Sequence, residues 1–248
     1  MQERASFTRS IERALDILEC FSERQTELRI AEICKMVGLS KSTTHRTMAT
    51  LENRGYLIQN EETGKYRLGV KTLTAGKAFL SGLDFRALAL PHMRLIRDAL
   101  NESVNLYVTN GTSRVVVERL ESNEPLRRVL KIGDELPIDK GAAGKVFLAF
   151  NPALKPDAGI NPDELAEIRR NLFSVSHGER ASDASSVAAP IFDHKAKVVA
   201  VLAIAGPTIR FVEPNLPRYI AMLCEAAESI SRALGCSRTL LNALYHQE

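Results

Sequence analysis

No stretch of this chain is both long and apolar. None approaches the ~18 residues a membrane-spanning helix requires, and the opening MQERASFTRS is polar and charged where a signal peptide would place a basic patch and an apolar core. The expectation is a soluble, cytoplasmic chain with no membrane partner. Cys20, Cys34, Cys224 and Cys236 share no CxxC or Cys/His spacing, which argues against a disulfide frame or zinc finger and for reduced, packed thiols. There is no internal repeat and no low-complexity tract. KGAAGK evokes a phosphate loop, but Val146 follows Lys145 where Ser or Thr is required, and no GxSxG elbow occurs. Neither a cofactor nor an enzymatic activity is expected. The rival reading is a metal-binding or small-molecule-processing enzyme in the C-terminal part, because His177, Glu179, Asp183 and His194 lie close in sequence. Exposed loop histidines explain that group more simply, and no metal site is expected.

What the chain does contain is enough apolar residue, 45% of 248, to bury two unequal cores. Its net charge of +3 is uninformative as a total but not in its placement. Residues 82–248 balance, so the excess lies wholly in the N-terminal third, and Lys35 to Lys77 hold eight basic against three acidic residues. Such a patch attracts polyanions.

Periodicity divides that third into short helices and a hairpin. Ile11, Ala14, Leu15, Leu18 and Phe21 form one apolar stripe at helical spacing, with Thr8 or Ser10 as cap. Ile30, Ile33 and Val37 repeat the pattern, and Gly38 permits the positive φ that stops a helix sharply. Ser40 then caps a helix that buries Thr44, Met48 and Leu51. YLIQ and KYRLG flank NEETG as a hairpin. Val70 to Ser81 reads as a helical connector, and Leu83 to Asn101 as an amphipathic helix kinked or started by Pro91. Beyond it the period becomes two. VNLYVTN and SRVVVERL pair across Asn110-Gly111, and RRVLKIG is a third strand. GDELPIDKGAAGK is an irregular loop feeding a helix, Ala142 to Phe150; a helix follows from Asp163 to Arg170. SVAAPIFD and KVVAVLAIAG form a second hairpin, and a last helix runs from Pro217 to Gly235.

A helix, a glycine turn, a second helix and a basic hairpin make a winged helix-turn-helix. With Thr44, Met48 and Leu51 inward, Ser42, Thr43, His45 and Arg46 are left outward at the helix end that enters a major groove. In the second half, the loop ahead of Ala142 brings backbone N–H groups and the positive end of a helix dipole together, which suits a carboxylate.

IAEICKMVGLSKSTTHRTMATLENRGYL, GKYRLG, VNLYV, GDELPIDKGAAGKVFLAF and SVAAPIFD followed by AIAGP occur in this order. On these motifs, residues 8–235 resemble the IclR family of bacterial transcription regulators. The resemblance implies an α+β chain of three parts: a winged helix-turn-helix DNA-binding domain over 1–69, a helical linker over 70–82, and an effector-binding and oligomerisation domain over 83–248. That last domain would be GAF-like or profilin-like with an antiparallel sheet. The implied partners are double-stranded operator DNA, a small organic-acid effector and a second copy in a homodimer or dimer of dimers. The implied function is repression of a catabolic operon. DNA contacts fall on Lys41, Ser42, Thr43, His45, Arg46, Lys65 and Arg67, and effector contacts on Leu136, Ala142, Ala143, Ser176, Ser186, Ala203 and Ala205. The chain departs from the family pattern in reading SHGE where Asp-x-Glu is usual, and Ala203 and Ala205 where serines are usual. Fewer polar anchors favour a bulkier, aromatic acid. The region 151–171 is also shorter than usual, so a helix covering the pocket is expected to be reduced.

Overall fold

The computed structural model describes residues 8–22, 25–82, 84–124, 130–154 and 160–237. The chain divides into two compact units, Met1–Gly82 and Leu83–Glu248.

In the first unit, α1 (Arg9–Glu19), α2 (Ile30–Val37) and α3 (Lys41–Asn53) precede a hairpin of β1 (Leu57–Gln59) and β2 (Tyr66–Leu68), and α4 (Val70–Ser81) follows. Gly38 ends α2 at φ 66°, and Ser40 caps α3 by accepting the Thr43 N–H through its hydroxyl at 3.3 Å. Ile17, Leu28, Ile33, Met48, Leu57 and Tyr66 form the core. Two details differ from the expected pattern. The buried stripe of α1 is centred on Ile17, while Ile11 and Leu15 stay 60% and 52% exposed. Packing turns the buried face towards Ile17 and Cys20, while Phe21 of the expected stripe is buried with them and Ala14 and Leu18 pack against the core. Leu28, two residues before α2, exchanges both backbone hydrogen bonds with Tyr66 and ties this segment to the hairpin, which the helical pattern of Ile30, Ile33 and Val37 did not show.

The second unit is a six-stranded antiparallel sheet in the order β5-β4-β3-β8-β7-β6. Its strands are β3 (Ser103–Thr109), β4 (Ser113–Leu120), β5 (Glu135–Pro137), β6 (Ser174–His177), β7 (Ala184–Phe192) and β8 (Val198–Pro207). Helix α5 (Asp84–Leu100) and the long α8 (Asn215–Ala233) cover one face; α6 (Ala142–Phe150) and α7 (Pro162–Asn171) cover the other. Pro91 lies inside α5, which runs through it; Leu83, its expected first residue, lies outside the described residues. Buried Glu102, just before β3, fastens the end of β8 to α8: it accepts from Arg210, one bond at 2.8 Å, and from the Tyr219 hydroxyl at 3.2 Å.

The described part of the expected third strand RRVLKIG, 130–133, is not extended. Residues 127–129 lie outside the described residues, and from Leu130 the chain turns instead: Lys131 and Asp134 bond each other, with Gly133 at φ 95°. The β5 pairing starts only beyond that turn, with Glu135 opposite Val115. A strand was also missed. Ser174–His177 pairs with β7 through Gly178 at φ 69°, a four-residue edge strand too short to show a period. Helix α7 is present with ten residues and packs on α6; residues 155–159 lie outside the described residues.

Candidate functional site

On α3, burial separates two faces. Thr44, Met48 and Leu51 are buried, as expected, and Lys41, Ser42, His45 and Arg46 are exposed. Thr43 is not on the outward face. It is half-buried, its hydroxyl lies 3.0 Å from that of Ser40, and it lines a groove with Ile11, Ala14 and Leu15 of α1. The Ser40 hydroxyl that caps its N–H lies 3.2 Å from that of exposed Ser42 as well, and Arg46 lines the same groove. Exposed Ala49 and Asn53 continue the outward face at helical spacing from Ser42, His45 and Arg46, and extending the periodicity two turns would have found them. On the hairpin, Arg67 is exposed, and Lys65 stands 4.0 Å from Glu27, an exposed pair worth little to stability. Among the described residues no helix is long and apolar enough to cross a membrane.

The second site is a cavity of about 50 Å³ between the sheet and the start of α6. Of the residues expected to surround a ligand, Ala143, Ser176, Ser186, Ala203 and Ala205 line it. Register explains the grouping: Ser176 faces Ser186, Ser186 faces Ala205 and Ala205 faces Ser103, one cross-strand row on one side of the sheet. Leu136 and Ala142 do not line it. Both are buried in the apolar cluster under α6, Leu136 as the cross-strand partner of Arg114.

The lining also holds polar groups that sequence reasoning missed. Asn105 is the cross-strand partner of Ala203, so the polarity β8 lacks is supplied by β3. Arg114 and Arg119 of β4 and Arg180 from the β6–β7 turn bring three guanidinium groups, and among the described residues no acidic one lines the cavity. Arg114 is 3% exposed. Its Nη1 donates to the carbonyls of Pro137 and Lys140, the latter at 2.6 Å, and its guanidinium lies 5.7 Å from the centre of the Tyr107 ring. Its Nε and the Oδ1 of Asn105 are buried without a hydrogen-bond partner. Burial lowers the Arg114 pKa to about 10, with Arg180 adding to the effect, and burial raises that of Tyr107. The alternation of β4 offered a signal for Arg114 alone, since the irregularity in its pairing with β3 brings Arg119 to the same cavity out of step with it.

The expected carboxylate position at the start of α6 is already held by a carboxylate of the chain. Glu179 accepts the Gly141 N–H at 2.8 Å and pairs with Lys145 Nζ, which also reaches Glu164 at 2.6 Å. Burial opposes ionisation of Glu179, but bonds from Lys145, Gly141 and Ser176 outweigh it and hold the pKa below the ordinary value. Burial would lower the Lys145 pKa, and the two carboxylates more than reverse that. The four residues weighed as metal ligands are not gathered: His177 Nδ1 lies 2.9 Å from the Ser185 hydroxyl, Glu179 is engaged as above, and no group of three such ligands occurs among the described residues.

Comparison with known proteins gives consistent relatives. The sequence pattern of the IclR helix-turn-helix domain matches residues 10–61, and that of the bacterial transcriptional regulator IclR C-terminal domain matches 77–161 and 162–232. The chain is 32% identical to the HTH-type transcriptional regulator XynR of Escherichia coli over 91% of its own length and 97% of that protein. It is similar to the crystal structure of the Thermotoga maritima IclR (TM-score 0.71, 27% identity, 92% of this chain and 99% of that one). It is also similar to an IclR homologue from Microbacterium hydrocarbonoxydans solved in complex with 4-hydroxybenzoate (TM-score 0.78, 26% identity, 91% and 98%).

Proposed function

The chain belongs to the IclR family of bacterial transcriptional regulators, and on that premise we propose that it represses a catabolic operon, reading operator DNA with α3 and β1–β2 and releasing it when a small organic acid binds the C-terminal cavity. It is a ligand-responsive regulator and not an enzyme. The observation that carries the DNA-reading assignment is the exposed quartet Lys41, Ser42, His45 and Arg46 directly behind the Gly38 turn, on a helix whose other face is locked in the core. Arg46 and His45 are suited to base edges and Ser42 to a phosphate, with Lys65 and Arg67 on the flanking backbone.

The C-terminal unit serves as a sensor of GAF-like or profilin-like form. Arg114 and Asn105 are the anchors of the acid, with Ala143, Ser176, Ser186, Ala203 and Ala205 as its walls. Two copies give two readers for successive half-sites. The exposed apolar residues Val70, Leu73 and Phe79 of α4 are the contact by which the copies pair, and pairs of pairs assemble through the sensor units. An aromatic effector stands as the second reading, favoured by the relative that holds 4-hydroxybenzoate.

The test is fluorescence anisotropy of the protein on DNA flanking its own gene, with salt varied and a panel of aliphatic and aromatic acids added. Sequence-selective binding that weakens steeply with salt and is relieved by one class of acid is expected. Equal affinity for unrelated duplexes would refute the assignment.

A further inference from the structure

The cavity is too small for the ligands its chemistry invites. An apolar site that takes benzene, six heavy atoms, has a volume of ~150 Å³; pyruvate also has six heavy atoms, and the cavity is about 50 Å³. Something at its wall must give way, and one wall is held by a carboxylate. Glu179 sits in the β6–β7 turn and bridges two lining residues, Gly141 and Ser176, while the next residue, Arg180, lines the cavity itself. It occupies the N-terminus of α6, where the helix dipole favours an anion. The same cavity is lined by Arg114, nine-tenths buried or more, which has no carboxylate in ion-pair range among the described residues and an unpartnered Nε.

We infer that Glu179 is a built-in substitute for the effector: its carboxylate holds the start of α6 in the effector-free protein, and an incoming carboxylate takes its place at the Gly141 N–H, opening the β6–β7 turn into the volume the ligand needs. The inference rests on the acid-effector reading above. The exchange leaves no buried charge alone. Lys145, 8% exposed, keeps Glu164 at 2.6 Å; the Glu179 side chain, already 29% exposed, passes into water; and the ligand brings negative charge to Arg114. The β6–β7 ladder is closed by the Gly178 N–H on the Ala184 carbonyl at 2.9 Å, and Glu179 leaves from the turn beyond that bond, so the sheet stays paired. Effector affinity is then set by competition with the protein's own side chain, and the released turn is the local change by which occupancy is passed on. The fraction of molecules with Glu179 in place taxes the apparent affinity in proportion.

Titration of the full chain with pyruvate, malonate and benzoate by calorimetry tests this, comparing wild type with Glu179→Ala, Glu179→Gln and Glu164→Gln. Whichever acid wild type accepts should bind Glu179→Ala about tenfold or more tightly. Glu179→Gln, which keeps a neutral acceptor for Gly141, should fall between. Glu164→Gln, which removes the other partner of Lys145, should hold Glu179 no less firmly and give no gain. Unchanged or weaker binding in a folded Glu179→Ala or Glu179→Gln protein overturns the exchange while leaving the acid-effector reading intact. If no acid binds any of the four proteins, both readings fall.

Discussion

Gly144 offers a sharp test of how α6 is seated. A β-carbon there would lie 2.1 Å from the Ile138 carbonyl oxygen and 2.5 Å from Arg114 Nη1, against the 3.0 Å below which such contacts are essentially never seen. The obstruction is backbone, and that backbone cannot drift: the neighbouring Pro137 and Lys140 carbonyls are both held by the buried Arg114. Gly144→Ala must therefore displace the first turn of α6 or the loop ahead of it by nearly 1 Å, judged from those two distances. Overpacking of this kind costs ~1–3 kcal/mol, and the immobility of the obstructing atoms places it at the upper end. At roughly 2–4 °C per kcal/mol for a domain of this size, the melting transition of the C-terminal unit should fall by about 6–12 °C. Scanning calorimetry of the full chain, fitted with separate transitions for its two units, reads this directly. A Gly144→Ala protein melting within about 2 °C of the parent would show that α6 does not sit against Ile138 as described.

Other expectations follow from the same reasoning. Arg46→Ala should weaken specific operator binding by ~1–3 kcal/mol and relax preference at one base step, whereas removing Arg67 should weaken all sequences alike and reduce the salt slope by about one; the reverse assignment in a selection experiment would exchange their roles. Glu102→Leu removes the buried acceptor that Arg210 and Tyr219 share and should lower stability by ~1–3 kcal/mol in urea denaturation. Because Glu179 titrates below its ordinary value of 4.5 when folded, its contribution to stability is complete above that pH and is lost as the pH falls through the folded value. Glu179→Gln should thus flatten the stability profile below about pH 4.5, and an identical acid limb in the variant would deny the Lys145 and Gly141 contacts.

The local elements were legible wherever one residue decides a conformation. Gly38 and Ser40 mark the turn between α2 and α3, the stripe Thr44, Met48 and Leu51 is the buried face of α3, and the bounds of α6 follow from its apolar run. Ser174–His177 and Glu135–Pro137 escaped because strands of three or four residues at a sheet edge owe their existence to the partner strand and not to their own pattern. Thr43 is half-buried beside α1, a packing between helices that counting along one face does not contain.

By itself the sequence determined the order of the helices and of the longer strands, the turn and cap that expose Lys41, Ser42, His45 and Arg46, and the motifs that mark the family, all written in contiguous residues. Only the tertiary structure decided what surrounds the cavity. Asn105 faces Ala203 across a pairing of residues 98 positions apart, Arg114 reaches Lys140, and Glu179 bonds the Gly141 N–H ahead of α6, 38 residues before it. Which of the chain's many charged residues meet in one small space depends on register and on the path of the turns. Those are set by the packing of the whole sheet against α6, which no local window contains.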